Sequence, residues 1–111
     1  MAGAPRKGDW IILNFDPQSG HEQKGRRPAL VVSNDLFNRR TGFVIACPVT
    51  RTDRKIPFHV KIPTHESGVT GFVMVDQVKS IDYRSRNTAR MGRASEDVMD
   101  DVLGILDTCL F

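Results

Sequence analysis

Positive charge is missing from the end of this chain. None of its 16 Lys and Arg residues lies beyond Arg93, whereas Glu96, Asp97, Asp100, Asp101 and Asp107 all do. The formal net charge of +3 hides this asymmetry, because 16 cations against 8 carboxylates up to Arg93 give +8, and the tail carries −5. So concentrated an excess suits a polyanionic partner through phosphate neutralisation and counterion release. Cysteine is scarce as well. Cys47 falls in an apolar strand and Cys109 on an apolar helix face, and both read as buried free thiols rather than a disulfide framework. His21, His59 and His65 show no ligand spacing, so the sequence proposes no metal site and no cofactor. There is no run of about 18 apolar residues, so no transmembrane helix and no membrane partner are expected. The first eight residues lack a signal-peptide apolar core, which makes the cytoplasm the expected compartment. Aromatic residues make up only 7%, too few for a base-stacking platform.

What is present is a sequence of 111 residues, 40% hydrophobic and 26% charged, read as one domain over 1–111 with one modest core. Short apolar runs alternate with turn residues. Strands are expected over 9–15, 28–33, 42–49, 58–62 and 71–75, with shorter ones over 80–83 and 89–92. A short helical turn is expected at 35–38. The one long helix begins at Ser95, a good N-cap, followed by Glu96 and Asp97 at the positive end of the dipole. Val98, Val102, Ile105, Leu106 and Cys109 form its apolar stripe. Many short strands and one terminal helix predict a mostly β (α+β) fold, a small barrel of antiparallel strands closed by a C-terminal helix.

Three segments carry polar chemistry. The first runs from Asp16 to Arg27 and holds Glu22, Gln23, Lys24, Arg26 and Arg27 between two strands. It is long for a strand connection, and long loops are disproportionately functional. Pro28 disfavours helix at Arg27 and presents it at the head of an apolar strand. The second is Pro48-Val49-Thr50-Arg51, where a hydroxyl able to donate to a phosphate oxygen ends a buried strand. The third is Asp76-Gln77-Val78-Lys79, where Gln77 can read a base edge and Lys79 can neutralise phosphate.

These three blocks, in this order, resemble the MazF/PemK family of toxin endoribonucleases. Asp16-Pro17, Gly20, Glu22-Gln23, Gly25 and Arg27-Pro28 match its first signature. Pro48-Val49-Thr50 matches its Pro-x-Thr strand end, and Gly71 to Ile81 its second block. The resemblance runs from Gly8 to Leu110. It implies an SH3-like, plasmid-maintenance-toxin barrel that works as a homodimer, and a metal-free, sequence-selective cut of single-stranded RNA. It also implies neutralisation by a cognate antitoxin with a disordered acidic segment. Arg27, Thr50 and Glu22 would be catalytic, and Asp16, Gln23, Lys24, Arg26, Arg51, Gln77 and Lys79 would contact RNA. Some relatives carry histidine before the catalytic arginine, where this chain has Arg26. In the implied reaction the adjacent 2′-hydroxyl attacks the phosphate, leaving a 2′,3′-cyclic phosphate and a 5′-hydroxyl. Arginine is a poor base at a pKa above about 12, so the base is a perturbed Arg27, Glu22 or a water. A gyrase poison on the same barrel and a non-catalytic RNA-binding barrel are the competing readings.

Overall fold

The computed structural model describes residues 3–15 and 25–111. Seven strands form one antiparallel sheet: β1 (Asp9–Phe15), β2 (Gly25–Val31), β3 (Phe43–Thr50), β4 (His59–Lys61), β5 (Phe72–Met74), β6 (Lys79–Asp82) and β7 (Ala89–Arg93). Helix α1 (Asp35–Thr41) joins β2 to β3, and α2 (Glu96–Leu110) ends the chain. The strand order is β4-β5-β3-β2-β1-β7, with β6 paired to β3 beside β5.

This order forces the sheet to curl. In a flat sheet β6 and β7 would stand roughly 19 Å apart, at about 4.8 Å per strand. Only residues 83–88 join them, and Tyr83–Ser85 of these form a compact 3₁₀ turn. The closure is visible in one contact. The Lys79 ammonium on β6 sits 5.8 Å from the centre of the Phe15 ring on β1, although β3 and β2 lie between those strands in the sheet.

Period-two alternation then sorts the apolar residues to two faces. Ile11, Leu13, Phe15, Ala29, Val31, Val44, Ala46 and Ile81 pack together on one. Trp10, Leu30, Val32, Cys47, Val49 and Val73 pack on the other, under Val98 and Val102 of α2. A buried carboxylate ties this second face to the helix: Glu66 Oε1 accepts from Trp10 Nε1 at 3.1 Å and from the Ser95 backbone N–H at 3.1 Å. The Ser95 hydroxyl caps α2 by accepting from Val98 N–H, as its sequence position predicts.

Several boundaries differ from expectation. β2 begins at Gly25, so Arg26 and Arg27 belong to a strand and not to the preceding loop; pairing to β1 from Phe15↔Gly25 onward extends it. The turn expected at 35–38 is a full helix, held by the Asn34 cap and a left-handed Gly42. The strand expected over 71–75 covers only Phe72–Met74, and Val75–Gln77 is a 3₁₀ turn. Cys109 is exposed, whereas Cys47 is buried. The helix stripe is fully buried only at Val98 and Val102, while Ile105 and Leu106 are partly buried against the same core.

Candidate active site

The site is prepared by a proline. β2 and β3 pair in register at Val31↔Ala46, Leu30↔Cys47 and Ala29↔Pro48, and the ladder stops there. The next step would be Pro28 opposite Val49, and Pro28 has no N–H to give. Two steps along the same register Arg27 stands opposite Thr50, just beyond the last bonded pair and on one face of the sheet. The unpaired ends border a cleft of ≈ 180 Å³ whose walls include Arg26, Arg27, Pro28, Val49, Arg51 and Thr70.

Thr50 is held tightly. It is 6% exposed, pairs with Phe72 of β5, and its Oγ1 accepts from the Thr52 N–H at 3.2 Å. That bond uses a lone pair and leaves the hydroxyl proton without an acceptor among the described residues, so Thr50 can donate outward. Gly71 lies directly against it. A Cβ there would come within 2.2 Å of the Thr50 carbonyl oxygen, and the Gly71 φ is +112°. Both facts require glycine at the bend that leads into β5.

Lys79 reaches the same mouth of the barrel from β6, over Phe15. Partial burial, and then the positive charge of Arg86, hold its ammonium below the ordinary lysine pKa. Gln77, exposed, closes the 3₁₀ turn just before it. That turn has no side-chain cap; instead Asp76 is tied at 2.9 Å to His59 Nε2 of β4, whose Nδ1 is buried and without a partner among the described residues. Arg26 donates from Nη1 to the Asn87 carbonyl at 2.6 Å, anchoring β2 to the segment between β6 and β7.

Of the sequence candidates, Arg26, Arg27 and Arg51 border one cleft where β2 and β3 part, Thr50 ends β3 beside it, and Lys79 lies over Phe15 of β1. Asp16, Glu22, Gln23 and Lys24 lie outside the described residues. Sequence reasoning missed the supports: Gly71 behind Thr50, Pro28 just past the end of the β2–β3 ladder, and the His59–Asp76 tie. Only the Phe58–Ile62 alternation signalled that β4 buries one face.

These features define a small antiparallel barrel with guanidinium and hydroxyl donors gathered at a split between two strands. The chain belongs to the PemK-like, MazF-like toxins of type II toxin-antitoxin systems, whose family model matches residues 6–110. It is 37% identical over 107 residues to endoribonuclease PemK of Escherichia coli, covering 94% of this chain and 80% of that one. It is 38% identical over 93 residues to endoribonuclease toxin MazF of Escherichia coli K12, covering 84% and 82%. The crystal structure of MazF from Deinococcus radiodurans superposes with a TM-score of 0.87 at 46% identity, over 96% of each chain. A MazE-MazF structure from the same organism gives 0.83 at 41% identity, over 96% and 95%.

Proposed function

We propose that this chain is an endoribonuclease toxin that cuts single-stranded mRNA at selected sequences and so halts translation and growth. The observation that supports the reading is the β2–β3 register, which, carried past the end of the ladder at Ala29↔Pro48, sets Arg27 opposite Thr50, a guanidinium and a hydroxyl suited to one phosphate. Arg27 binds the scissile phosphate through its forked N–H groups and stabilises the charge growing on the equatorial oxygens. Thr50 donates its free hydroxyl proton to the same phosphate. Arg26, Arg51, Gln77 and Lys79 hold the flanking nucleotides, with Asp16, Gln23 and Lys24 from the β1–β2 connection.

The nucleophile is the adjacent 2′-hydroxyl. Its proton leaves to a base, for which Glu22 has the right chemistry, as its oxygen attacks phosphorus; the bond to the 5′-oxygen breaks, and that oxygen takes up a proton from water or from the base now protonated. The products are a 2′,3′-cyclic phosphate and a 5′-hydroxyl. The scheme as proposed calls on no metal ion.

Similarity to MazF chains crystallised with MazE supports a cognate antitoxin. Its acidic segment would be drawn by the +8 of residues 1–93. The toxin works as a single domain in a homodimer in the cytoplasm, where mRNA is translated.

Incubating the purified protein with a long single-stranded RNA and the matching DNA in EDTA tests the reading. Discrete RNA fragments with 5′-hydroxyl and cyclic-phosphate ends, and intact DNA, are the expected result. Intact RNA with folded, antitoxin-free protein refutes it.

A further inference from the structure

The far end of β1 carries a second cluster of cations that the cleavage scheme leaves unused. Asp9 is 1% exposed. Its Oδ1 accepts from Arg90 Nε at 3.1 Å and Arg93 Nη1 at 3.0 Å, and its Oδ2 from the Arg6 backbone N–H at 2.8 Å. In a regular strand residues three apart point to opposite faces. Here β7 pairs Asp9↔Arg93, Trp10↔Gly92 and then Ile11↔Arg90, so Met91 is an extra, bulged residue. The bulge resets the alternation and aims both arginines at one carboxylate, a recurrent use of such irregularities.

The two guanidiniums are therefore fixed from beneath while half exposed above, at 49% and 51%. Arg90 gives one of its five N–H groups to Asp9, and the others have no partner among the described residues. With Arg6, they line a cleft of ≈ 670 Å³. Asp35 balances Arg6 in part, at 3.3 Å, and the cluster keeps a positive surplus.

We propose that this cleft is a distal phosphate subsite, which takes the backbone of the same RNA strand a few nucleotides from the bond cut at Arg27. The inference rests on the proposed endoribonuclease reading. Continuity supports RNA as the occupant. Thr88 borders both this cleft and a neighbouring one of ≈ 380 Å³ that contains Arg84 and Asn87. The Asn87 carbonyl in turn holds Arg26, next to Arg27. Cations thus follow the chain from the active site to the cleft. On the sheet, Arg27 opposite Leu13 and Arg90 opposite Ile11 put the two Cα atoms roughly 12 Å apart.

The test is binding of a fluorescent, uncleavable 2′-O-methyl RNA 20-mer by anisotropy, across a salt series. Each lost phosphate contact lowers the slope of log K against log salt by about 0.7 for a single strand. The Arg6→Gln/Arg90→Gln pair, which leaves Arg93 on Asp9, should flatten the slope by about 1.4. The affinity lost between 50 and 200 mM salt then shrinks about sevenfold. Arg6→Gln alone, whose side chain does not touch Asp9, should flatten it by about half as much and guards against misfolding of the pair. Arg39→Gln/Arg40→Gln on α1 changes net charge equally and should leave the slope unaltered. Equal flattening by both pairs, or none by the first, overturns the subsite. So does an Arg6→Gln/Arg90→Gln protein that loses poly-glutamate binding but not RNA binding, which would make the cleft a carboxylate site. If the native protein neither binds nor cuts RNA, the parent reading falls too. If it does both with dependence on Arg27, only the subsite is lost.

Discussion

Replacing Gly71 with alanine should damage the protein in a way that reports on the site. The new Cβ would lie 2.2 Å from the Thr50 carbonyl oxygen, 3.0 Å from the Thr50 carbonyl carbon and 3.2 Å from the Arg51 Cα. All three are backbone atoms, so no flexible side chain can yield. The φ of +112° adds conformational strain of about 1–3 kcal/mol, and relief of the overlap costs about another 1–3 kcal/mol. At roughly 4 °C per kcal/mol for a chain of this size, Tm should fall by about 8–24 °C. Below that temperature the atoms that must move are those carrying Thr50 and Arg51, so RNA cleavage should drop by more than the folded fraction explains. Gly68→Ala is the matched control: φ is +79°, but nothing lies within 4 Å of its Cβ. It should cost strain alone; because Gly68 also borders the ≈ 180 Å³ cleft, it serves as the control for stability. Thermal melts and single-turnover cleavage of both variants decide the matter. A Gly71→Ala protein as stable as Gly68→Ala and as active as the native protein would refute the claim that Gly71 sets the position of Thr50.

Burial, and secondarily the charge of Asp76, push the Cys47 thiol up to about 12, while Cys109 is exposed. Ellman's reagent at pH 8 should therefore modify one thiol in the native protein and two in urea, and Cys109→Ser should remove the native signal. Glu66→Ala strips the acceptor from Trp10 Nε1 and Ser95 N–H and should cost about 2–4 kcal/mol in urea unfolding; Glu66→Gln keeps an acceptor and should cost markedly less. Lys79 is charged below its pKa and neutral above it, and that pKa lies below 10.5. Affinity for a 2′-O-methyl oligonucleotide of A and C should therefore fall as pH rises toward 10.5, and Lys79→Arg, still charged there, should lessen the fall.

Much of this was legible in the sequence because the strands alternate and the caps are explicit. The Trp10/Leu13 and Leu30/Val31 patterns, Ser95 and the terminal helix all follow local rules. The start of β2 was not legible, because Gly25-Arg26-Arg27 has no apolar content and becomes a strand only by pairing with β1. The exposure of Cys109 was not legible, because helical periodicity identifies a face without showing how deeply each position on it is covered. Arg27 and Thr50 could be named from motifs, but their juxtaposition depends on the β2–β3 register, a long-range property. The Arg90–Arg93 pairing on Asp9 depends on a bulge that no residue type announces.

The central claim is that Arg27 and Thr50 act together on one phosphate. Single-turnover RNA cleavage in EDTA by the native protein, Arg27→Ala, Thr50→Val and the double variant tests it most directly, with melts to confirm folding. The account predicts a loss of about 10²–10³-fold for Arg27→Ala, a smaller loss for Thr50→Val, and a double variant little worse than Arg27→Ala alone, because residues acting as a unit are not additive. Cleavage that survives Arg27→Ala in a folded protein would contradict it.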